Sequence, residues 1–379
     1  METSFWASFL FILYVYAGYP VLLAVWAAIA SRPITKRFTA SQAPSVSVVV
    51  AARNEGARLA QRVTNLLEQE YPRPIEIIVV SDGSTDGTAQ ALTPFGDRVR
   101  LMQLPRGGKP LALNAGVAAA TGDIVVFADA RQRFASNAIV ALVSNFADPA
   151  VGAATGELVL DCEGDPAATD SDVAEGVGLY WRYEKWLRRH ESRVWSTLGA
   201  TGAIYAIRRS LWRPLPSTTL LDDVLATMRV VLEGKRVVFD DSARAFDRAA
   251  ATASDESRRK TRTLAGNYQI FALEPRLLMP FTNPVWLQYL SHKVGRLLVP
   301  WCLATAFVSN IVLASQSWAY RLALLVQLCF YGLAVFGAQS ARGCATEQMD
   351  EFSSTTDRRP GSLPEQSFPS PTGDSAGGI

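Results

Sequence analysis

Uncharged apolar runs lie near both ends of the chain, and shorter apolar segments alternate with polar ones between them. The first run extends from Phe5 to Ala30, and two more cover Leu297–Ser317 and Leu322–Ser340. A helix needs about 20 apolar residues to cross a bilayer. The sequence therefore predicts an N-terminal transmembrane anchor over residues 1–31 and a transmembrane hairpin over residues 296–341.

Basic residues flank these runs on the sides that the positive-inside rule assigns to the cytoplasm. They are Arg32, Lys36 and Arg37 after the first run, Lys293 and Arg296 before the second, and Arg342 after the third. A cleaved signal peptide is the alternative for the first run, because Ala28-Ile29-Ala30 has the A-x-A form. We expect an integral protein of the cell (inner) membrane with its central part in the cytoplasm.

Two further segments near the C-terminal runs have their own composition. Residues 281–295 mix aromatic and polar side chains, which is typical of a helix lying at the membrane interface. Residues 345–379 are rich in Ser, Pro, Thr and Gly and predict a disordered tail.

The central residues 44–280 predict a single α/β domain. Apolar runs bounded by polar turns predict strands, and apolar positions at helical spacing predict helices. The strands are expected at Ser45–Ala51, Ile75–Val80, Val99–Leu104 and Ile124–Phe127, and the helices at Glu55–Glu70 and Lys109–Ala120. This alternation predicts a mostly parallel central sheet that binds its ligand at the carboxyl ends of the strands.

Composition narrows the class of function. Of 379 residues, 49% are hydrophobic and 19% charged, which excludes disorder of the whole chain. The formal net charge of +2 gives no overall field that would draw the chain to nucleic acid. His190 and His292 are the only histidines, and the four cysteines form no C-x-x-C pair, so a His-rich metal site, a zinc ribbon and a disulfide scaffold are excluded.

Polar residues follow the first two strands. Asn54 and Glu55 suit either a plain helix cap or the binding of a base or phosphate. Asp82 follows the second strand, where a carboxylate can accept hydrogen bonds from a uracil N–H or a ribose hydroxyl.

The next two polar segments suit a diphosphate. Arg106-Gly107-Gly108-Lys109 lacks the P-loop pattern, but a glycine pair beside a cation can accommodate a diphosphate, and a plain turn is the alternative. Asp129 ends an apolar strand, where a carboxylate needs a partner. That partner is either magnesium or manganese on a diphosphate, or an ion pair with Arg131 or Arg133.

Three later segments complete the candidate chemistry. Small residues around Thr201 and Gly202 would let a substrate approach the backbone, and Asp222-Asp223 stands at a helix start as either a cap or a general base. The basic segment Arg258–Gln269 suits either anionic lipid or a leaving diphosphate.

In this order and spacing, these segments resemble the family 2 glycosyltransferases of GT-A fold, in particular the membrane-bound branch that includes polysaccharide synthases. The resemblance assigns Ala51, Asn54, Glu55 and Asp82 to the base and ribose, Lys109 and Asn114 to the uracil and diphosphate, Asp129 to the D-x-D acid and metal ligand, Asp223 with Asp222 to the catalytic base, and Arg259 and Arg262 to the Q-x-x-R-W segment. Thr201 and Gly202, in the stretch of small residues, are the candidate acceptor contacts.

The resemblance implies inverting transfer from a nucleotide-diphosphate sugar, with a UDP-sugar favoured. The acceptor would be a saccharide or lipid-linked molecule at the cytoplasmic membrane face, with membrane lipids around the protein, Mg²⁺ or Mn²⁺ as cofactor, and a role in polysaccharide or cell-envelope glycan synthesis. Four positions depart from the family pattern: Arg131 replaces the second D-x-D acid, Asp222 replaces Glu, and Arg259 and Thr263 replace Gln and Trp.

Two other classes of function stay open on the sequence. A nucleotidyltransferase would release pyrophosphate from a nucleoside triphosphate, and an inactive membrane scaffold would release nothing. Release of a nucleoside diphosphate from nucleotide sugars separates both from a glycosyltransferase.

Overall fold

Eight strands form one mixed sheet in the computed structural model of the chain, which describes residues 1–36, 38–161, 172–248 and 253–356. The chain divides into two compact units, Met1–Val326 and Gln327–Ile379, and the sheet belongs to the first. The strands are β1 (Val46–Ala52), β2 (Ile75–Asp82), β3 (Arg100–Leu104), β4 (Ile124–Asp129), β5 (Arg133–Phe134), β6 (Val151–Asp161), β7 (Ile204–Arg208) and β8 (Arg236–Arg248).

The sheet has a parallel half and a mixed half, in the order β3-β2-β1-β4-β7-β6-β8-β5. The pairs β3–β2, β2–β1 and β1–β4 are parallel, as the sequence predicts. The pairs β4–β7, β7–β6 and β8–β5 are antiparallel, while β6–β8 is parallel. The four predicted strands are therefore confirmed, and the second half of the sheet adds antiparallel neighbours.

The described residues form eleven helices. They are α1 (Glu2–Leu13), α2 (Tyr19–Ile29), α3 (Gly56–Leu67), α4 (Lys109–Ala119), α5 (Ala138–Ser144), α6 (Asp172–Val194), α7 (Asp222–Leu232), α8 (Ala253–Leu273), α9 (Trp286–Gln288), α10 (Gly295–Leu313) and α11 (Trp318–Thr356). Helices α3 and α5 pack on one face of the sheet, and α4 and α7 on the other. A Cβ atom at Gly116 would lie 2.5 Å from Val49, so glycine lets α4 pack directly onto β1.

Among the residues that the structure describes, three helical stretches are long and apolar enough to cross a membrane: Glu2–Ile29, Trp286–Leu313 and Trp318–Gly337. The first runs through a π-helical turn, Tyr14–Gly18, between α1 and α2. These stretches coincide with the three apolar runs of the sequence. No membrane is part of the structure, and the orientation of the spans stays a prediction.

The boundaries near the C-terminus differ from those expected. The second stretch begins at Trp286 and includes a π-helical section, Tyr289–Val294, so residues 286–295 are continuous with the apolar helix that follows. Their position at the membrane interface stays a prediction. Helix formation continues here because Pro284 lies before the first turn, where proline does not interrupt the helix.

Helix α11 continues to Thr356, and residues 357–379 lie outside the described residues. The disorder expected for residues 345–379 stays a prediction. The segment that follows the apolar run contains good helix formers such as Ala, Glu, Gln and Met, and the next proline is Pro360.

The segment after α2 is attached to the sheet domain through specific contacts. The Arg32 amide donates to the Arg193 carbonyl at 2.8 Å, and the Arg32 guanidinium lies 4.5 Å from the centre of the Trp195 ring. The Lys36 ammonium donates to the buried Asp240 carboxylate at 2.8 Å. The N-terminal helices are therefore fixed to the domain that carries the candidate site.

Candidate active site

The polar residues that the sequence places after strands lie at one edge of the sheet. Ala51 on β1 pairs with Asp129 at the end of β4 and with Val80 on β2. Asp82 ends β2 two residues after Val80. Because parallel strands present their carboxyl ends together, Ala51, Asp82 and Asp129 line one edge, as predicted.

The loops after β1 and β2 are joined by side-chain hydrogen bonds. Asn54 adopts φ 54°, and its Oδ1 atom accepts from the Thr85 amide at 2.9 Å. The Asp86 carboxylate accepts from the Gly56 amide at 3.0 Å, at the first turn of α3. The N-cap position of α3 is Glu55, so the interpretation of Asn54 as the N-cap is wrong; Asp86 of the second loop supplies the cap instead.

Asp82 anchors the loop that leads to Lys109. Its Oδ1 atom accepts from the amides of Gly107 at 2.6 Å and Gly108 at 3.0 Å, and the residue is 5% exposed. Gly108 has φ 93°, a conformation that favours glycine. The described contacts of Asp82 therefore fix the loop, and its contact with a nucleoside stays a prediction.

Replacing Asp82 by Ala is expected to weaken nucleoside diphosphate binding, because the loop that presents Lys109 loses its anchor. Hydrogen bonds to a charged group contribute about 1.5–3 kcal/mol each, so an affinity loss of about tenfold or more is expected. Calorimetric titration of the purified full chain with UDP and GDP measures it. Unchanged affinity for UDP and for GDP would show that nucleotide binding depends neither on the anchoring of the Lys109 loop by Asp82 nor on a contact of Asp82 with the nucleotide.

The Lys109 ammonium lies between Asp129 at the edge of the sheet and Asp222 at the start of α7. Its Nζ atom lies 2.9 Å from Asp129 Oδ1 and 3.3 Å from Asp222 Oδ2. Burial lowers the pKa of Lys109, but the charges of Asp129 and Asp222 outweigh burial and hold that pKa above its ordinary value. The ion-pair partner expected for Asp129 among Arg131 and Arg133 is therefore wrong; the partner is Lys109.

The two adjacent acids at the start of α7 have different surroundings. Asp222 is 4% exposed and faces Lys109, whereas Asp223 is half-buried. Burial, followed by the charge of Asp222, raises the pKa of Asp223 to about 6. A carboxyl group with this pKa is ionised near neutral pH and still accepts a proton readily, which suits a general base.

Gly202 lies beside the Asp223 carboxylate and the Lys109 ammonium. A Cβ atom at this position would lie 3.2 Å from Asp223 Oδ2 and 3.8 Å from Lys109 Nζ. Its neighbour Thr201 is held by the Thr155 hydroxyl, which accepts from the Thr201 amide at 3.0 Å. The small residues predicted near the acceptor therefore lie directly beside the candidate base.

Helix α8 supports the turn before Asp222. Arg262 donates to the Leu220 carbonyl at 2.9 Å, and the Gln269 side chain accepts from the Leu220 amide at 2.9 Å and donates to the Thr218 carbonyl at 2.8 Å. A Cβ atom at Gly266 would lie 2.5 Å from Leu221. The basic segment thus contacts the turn that precedes Asp222. Sequence reasoning missed the contacts of Gln269 and Gly266 with this turn, because no local pattern indicates them.

Two predicted donor residues have other described surroundings. The side chain of Asn114 donates from Nδ2 to the Leu215 carbonyl at 2.8 Å and accepts at Oδ1 from the Leu215 amide at 2.9 Å. These two bonds fix the segment that leads toward α7. Arg259 is exposed on α8, one turn before Arg262. Their contacts with a donor stay predictions.

Tyr205 is a second residue that sequence reasoning missed. Its ring stacks on Phe127, with ring centres 4.5 Å apart, and Phe127 stacks on Trp212 at 5.0 Å. Its hydroxyl is buried and has no hydrogen-bond partner among the residues that the structure describes. The pairing of β4 with β7 places Phe127 opposite Tyr205, and the sequence gives no local signal of that pairing.

The sheet edge that carries Asp129 is compatible with a divalent metal that is held partly by the substrate. Within the described part of the chain, no group of three or more His, Cys, Asp or Glu residues could hold a metal ion. Asp129 engages Lys109 through Oδ1, which leaves Oδ2 for another partner. Mg²⁺ commonly binds one or two carboxylates together with substrate phosphates, so one carboxylate at this edge is compatible with it.

Comparison with known proteins gives consistent matches. Residues 47–213 match the model of a family described as glycosyl transferase family 2. An N-acetylglucosaminyltransferase of Sinorhizobium fredii is 25% identical over 334 residues, which cover 83% of this chain and 78% of that protein. Another from Rhizobium leguminosarum bv. trifolii is 33% identical over 132 residues, covering 33% of this chain and 72% of that protein.

A solved structure shares the fold over most of the chain. It is a mannosyltransferase from Pyrobaculum calidifontis in complex with GDP-Man and Mn²⁺, with a TM-score of 0.66 and 24% sequence identity. The match covers 91% of this chain and 96% of that one. The likeness establishes the GT-A architecture.

Proposed function

The chain belongs to glycosyltransferase family 2, and from that premise we propose that it transfers a sugar from a nucleotide-diphosphate sugar to a saccharide or lipid-linked acceptor with inversion. The observation that carries this proposal is the arrangement of Asp223, Lys109 and Asp129 at the carboxyl ends of the strands. A half-buried carboxylate with a pKa of about 6 there stands beside a cation and a second acid.

Asp223 acts as the general base in the proposed reaction. Its carboxylate takes the proton of an acceptor hydroxyl while that oxygen forms a bond to the anomeric carbon of the donor sugar. The bond between the anomeric carbon and the diphosphate oxygen breaks, and the nucleoside diphosphate leaves with the electron pair. One displacement inverts the anomeric centre, so a single base is sufficient.

We call the sheet edge with Ala51, Asp82 and Asp129 the donor edge. Cations beside it stabilise the leaving diphosphate in the proposed reaction. The Lys109 ammonium lies 3.3 Å from Asp222, and Arg262 donates to the carbonyl of Leu220, two residues before Asp222. Positive groups fixed where negative charge develops lower the barrier without reorganisation. Asp129 would hold Mg²⁺ or Mn²⁺, which supplies further neutralisation of the diphosphate when bound.

Chelation is expected to reduce activity strongly, because Asp129 and the diphosphate would share a metal. We expect transfer to fall after treatment with EDTA and to return when Mn²⁺ or Mg²⁺ is added. Full activity after exhaustive chelation would contradict the metal proposal and leave the diphosphate charge to Lys109 and Arg131.

A UDP-sugar is the proposed donor, and N-acetylglucosamine is the first sugar to test, since the named relatives are N-acetylglucosaminyltransferases. Membranes containing the chain should release nucleoside diphosphate from one member of a panel of nucleotide sugars. Membranes containing the Asp223→Asn variant are the control. Pyrophosphate release from a triphosphate would support a nucleotidyltransferase, and no release from any donor would support an inactive scaffold.

We also propose that the domain works at the cytoplasmic face of the cell membrane, in polysaccharide or cell-envelope glycan synthesis. Three candidate spans and the basic residues that flank them support this orientation. Reporter fusions at Thr39 and after Arg342 are both expected to report a cytoplasmic position. An external signal at Thr39 would contradict the proposal, because the activated donor is cytosolic.

A further inference from the structure

The ammonium of Lys109 occupies the space between the acids that face the donor edge. We propose that Lys109 is a built-in stand-in for the divalent cation, so that the metal binds only together with the nucleoside diphosphate. This inference rests on the proposed function, since it concerns how the same site admits its donor.

The acids at this site require a cation even before a donor arrives. Asp222 is 4% exposed, and its Oδ2 atom makes no hydrogen bond within the described part of the chain. Its nearest charged partner is the Lys109 ammonium at 3.3 Å, which also contacts Asp129 at 2.9 Å. Carboxylates brought this close in a partly buried site repel each other unless a positive group lies between them.

A divalent metal alone gains little at this position. It would have to compete with an ammonium that contacts both Asp129 and Asp222. Mg²⁺ requires near-octahedral coordination by oxygen, which one carboxylate cannot supply. Within the described residues there is no cluster of three acids or histidines to complete the coordination.

A bound diphosphate shifts the competition between the metal and the Lys109 ammonium toward the metal in two ways. Its oxygens complete the coordination of a metal at Asp129, and they offer the Lys109 ammonium a new anionic partner. Lys109 begins α4 directly after the Gly107–Gly108 loop that Asp82 anchors, so the side chain stands at the edge where the diphosphate is expected. Metal and nucleotide therefore strengthen each other's binding, which is a reciprocal coupling.

The test measures Mn²⁺ binding directly rather than turnover. Free Mn²⁺ is followed by electron paramagnetic resonance while it is titrated into the purified full chain in detergent, with and without UDP, and in parallel with GDP. Titrations of Mn²⁺ into nucleotide without protein correct for the complex that forms in solution.

In the wild-type chain, nucleotide is expected to raise the Mn²⁺ affinity about tenfold or more, within the usual range of coupling. In Lys109→Met, Mn²⁺ affinity without nucleotide is expected to rise about tenfold, and the gain from nucleotide to shrink correspondingly. The matched control is Lys235→Met, because the Lys235 ammonium donates to the Pro149 carbonyl and contacts none of these acids. It should behave as wild type.

Two results would overturn the role of Lys109: equal Mn²⁺ affinity in the wild type with and without nucleotide, or unchanged affinity in Lys109→Met. If Lys109→Met does not fold, Lys109→Gln is used, and the same rise without nucleotide is required. Adding Asp129→Asn to either variant should abolish the gained binding. Failure of the wild type to bind either nucleotide, with or without Mn²⁺, would instead overturn the proposed function itself.

Discussion

Replacing Asp223 by Asn is expected to lower turnover by about 10²–10⁴-fold while donor binding persists, because general-base catalysis contributes a factor of that size. The amide keeps the shape of the carboxylate, and the base acts on the acceptor rather than on the nucleotide. Steady-state transfer to the acceptor measures turnover, and calorimetric titration with nucleoside diphosphate measures donor binding.

The pH dependence of the wild-type reaction tests the same assignment. Burial raises the pKa of Asp223 to about 6, and a base works only in its ionised form. The rate constant kcat/KM is therefore expected to fall as the pH drops through about 6 and to level off above it. Asp223→Asn should lose this acidic limb, and a wild-type profile that stays flat from pH 7 to pH 5 would contradict the role of Asp223.

Asp222→Asn is the matched control, because the change is chemically identical and lies one residue away. Adjacent side chains on a helix point about 100° apart, and Asp222 faces Lys109, so its variant should affect turnover less. Near-normal turnover of Asp223→Asn together with a large loss in Asp222→Asn would show that the base is Asp222. If neither variant lost activity, the enzyme would not use this acid pair.

Replacing Glu191 by Ala is expected to lower the free energy of unfolding by about 3–5 kcal/mol, because it removes a fully buried charged acceptor. Glu191 on α6 is 0% exposed. Its Oε1 atom accepts from the Tyr19 hydroxyl at 2.9 Å and lies 2.6 Å from His292 Nδ1. These contacts join the N-terminal helices, α6 and the helix that begins at Trp286.

Unfolding of the full chain in detergent, followed by circular dichroism, measures this loss. Glu191→Gln keeps a carbonyl oxygen at the same position and should be milder. Glu68→Ala changes an exposed glutamate at the end of α3 and should stay close to wild type. Wild-type stability of Glu191→Ala would show that the buried contacts contribute nothing net to the fold.

Local patterns determine much of the first half of the sheet. The apolar runs that become β1, β2 and β4 are mostly buried, so their continuous hydrophobic composition identifies them without knowledge of their neighbours. Charge-free runs of sufficient length identify the three candidate spans for the same reason. Acids directly after such strands could be selected because they are costly to place there without a partner.

The sequence did not determine which groups those acids meet. Asp129 has arginines two and four residues away, yet its partner is Lys109, which lies twenty residues earlier at the start of α4. The cap of α3 likewise comes from Asp86 in another loop. Both contacts depend on strand pairing that brings distant segments together, and hydrophobic periodicity reports which face is buried, not which residue lies opposite.

The same limit applies to the elements around the site. The extent of β6 and β8 depends on their pairing with each other, and the contact of Gln269 with the turn before Asp222 depends on the position of α8. The chain alone thus determined the three candidate spans, the parallel strands and the identity of the acids. Tertiary structure decided their partners and the pKa of Asp223, because solvation and charge at a buried site are set by residues far apart in sequence.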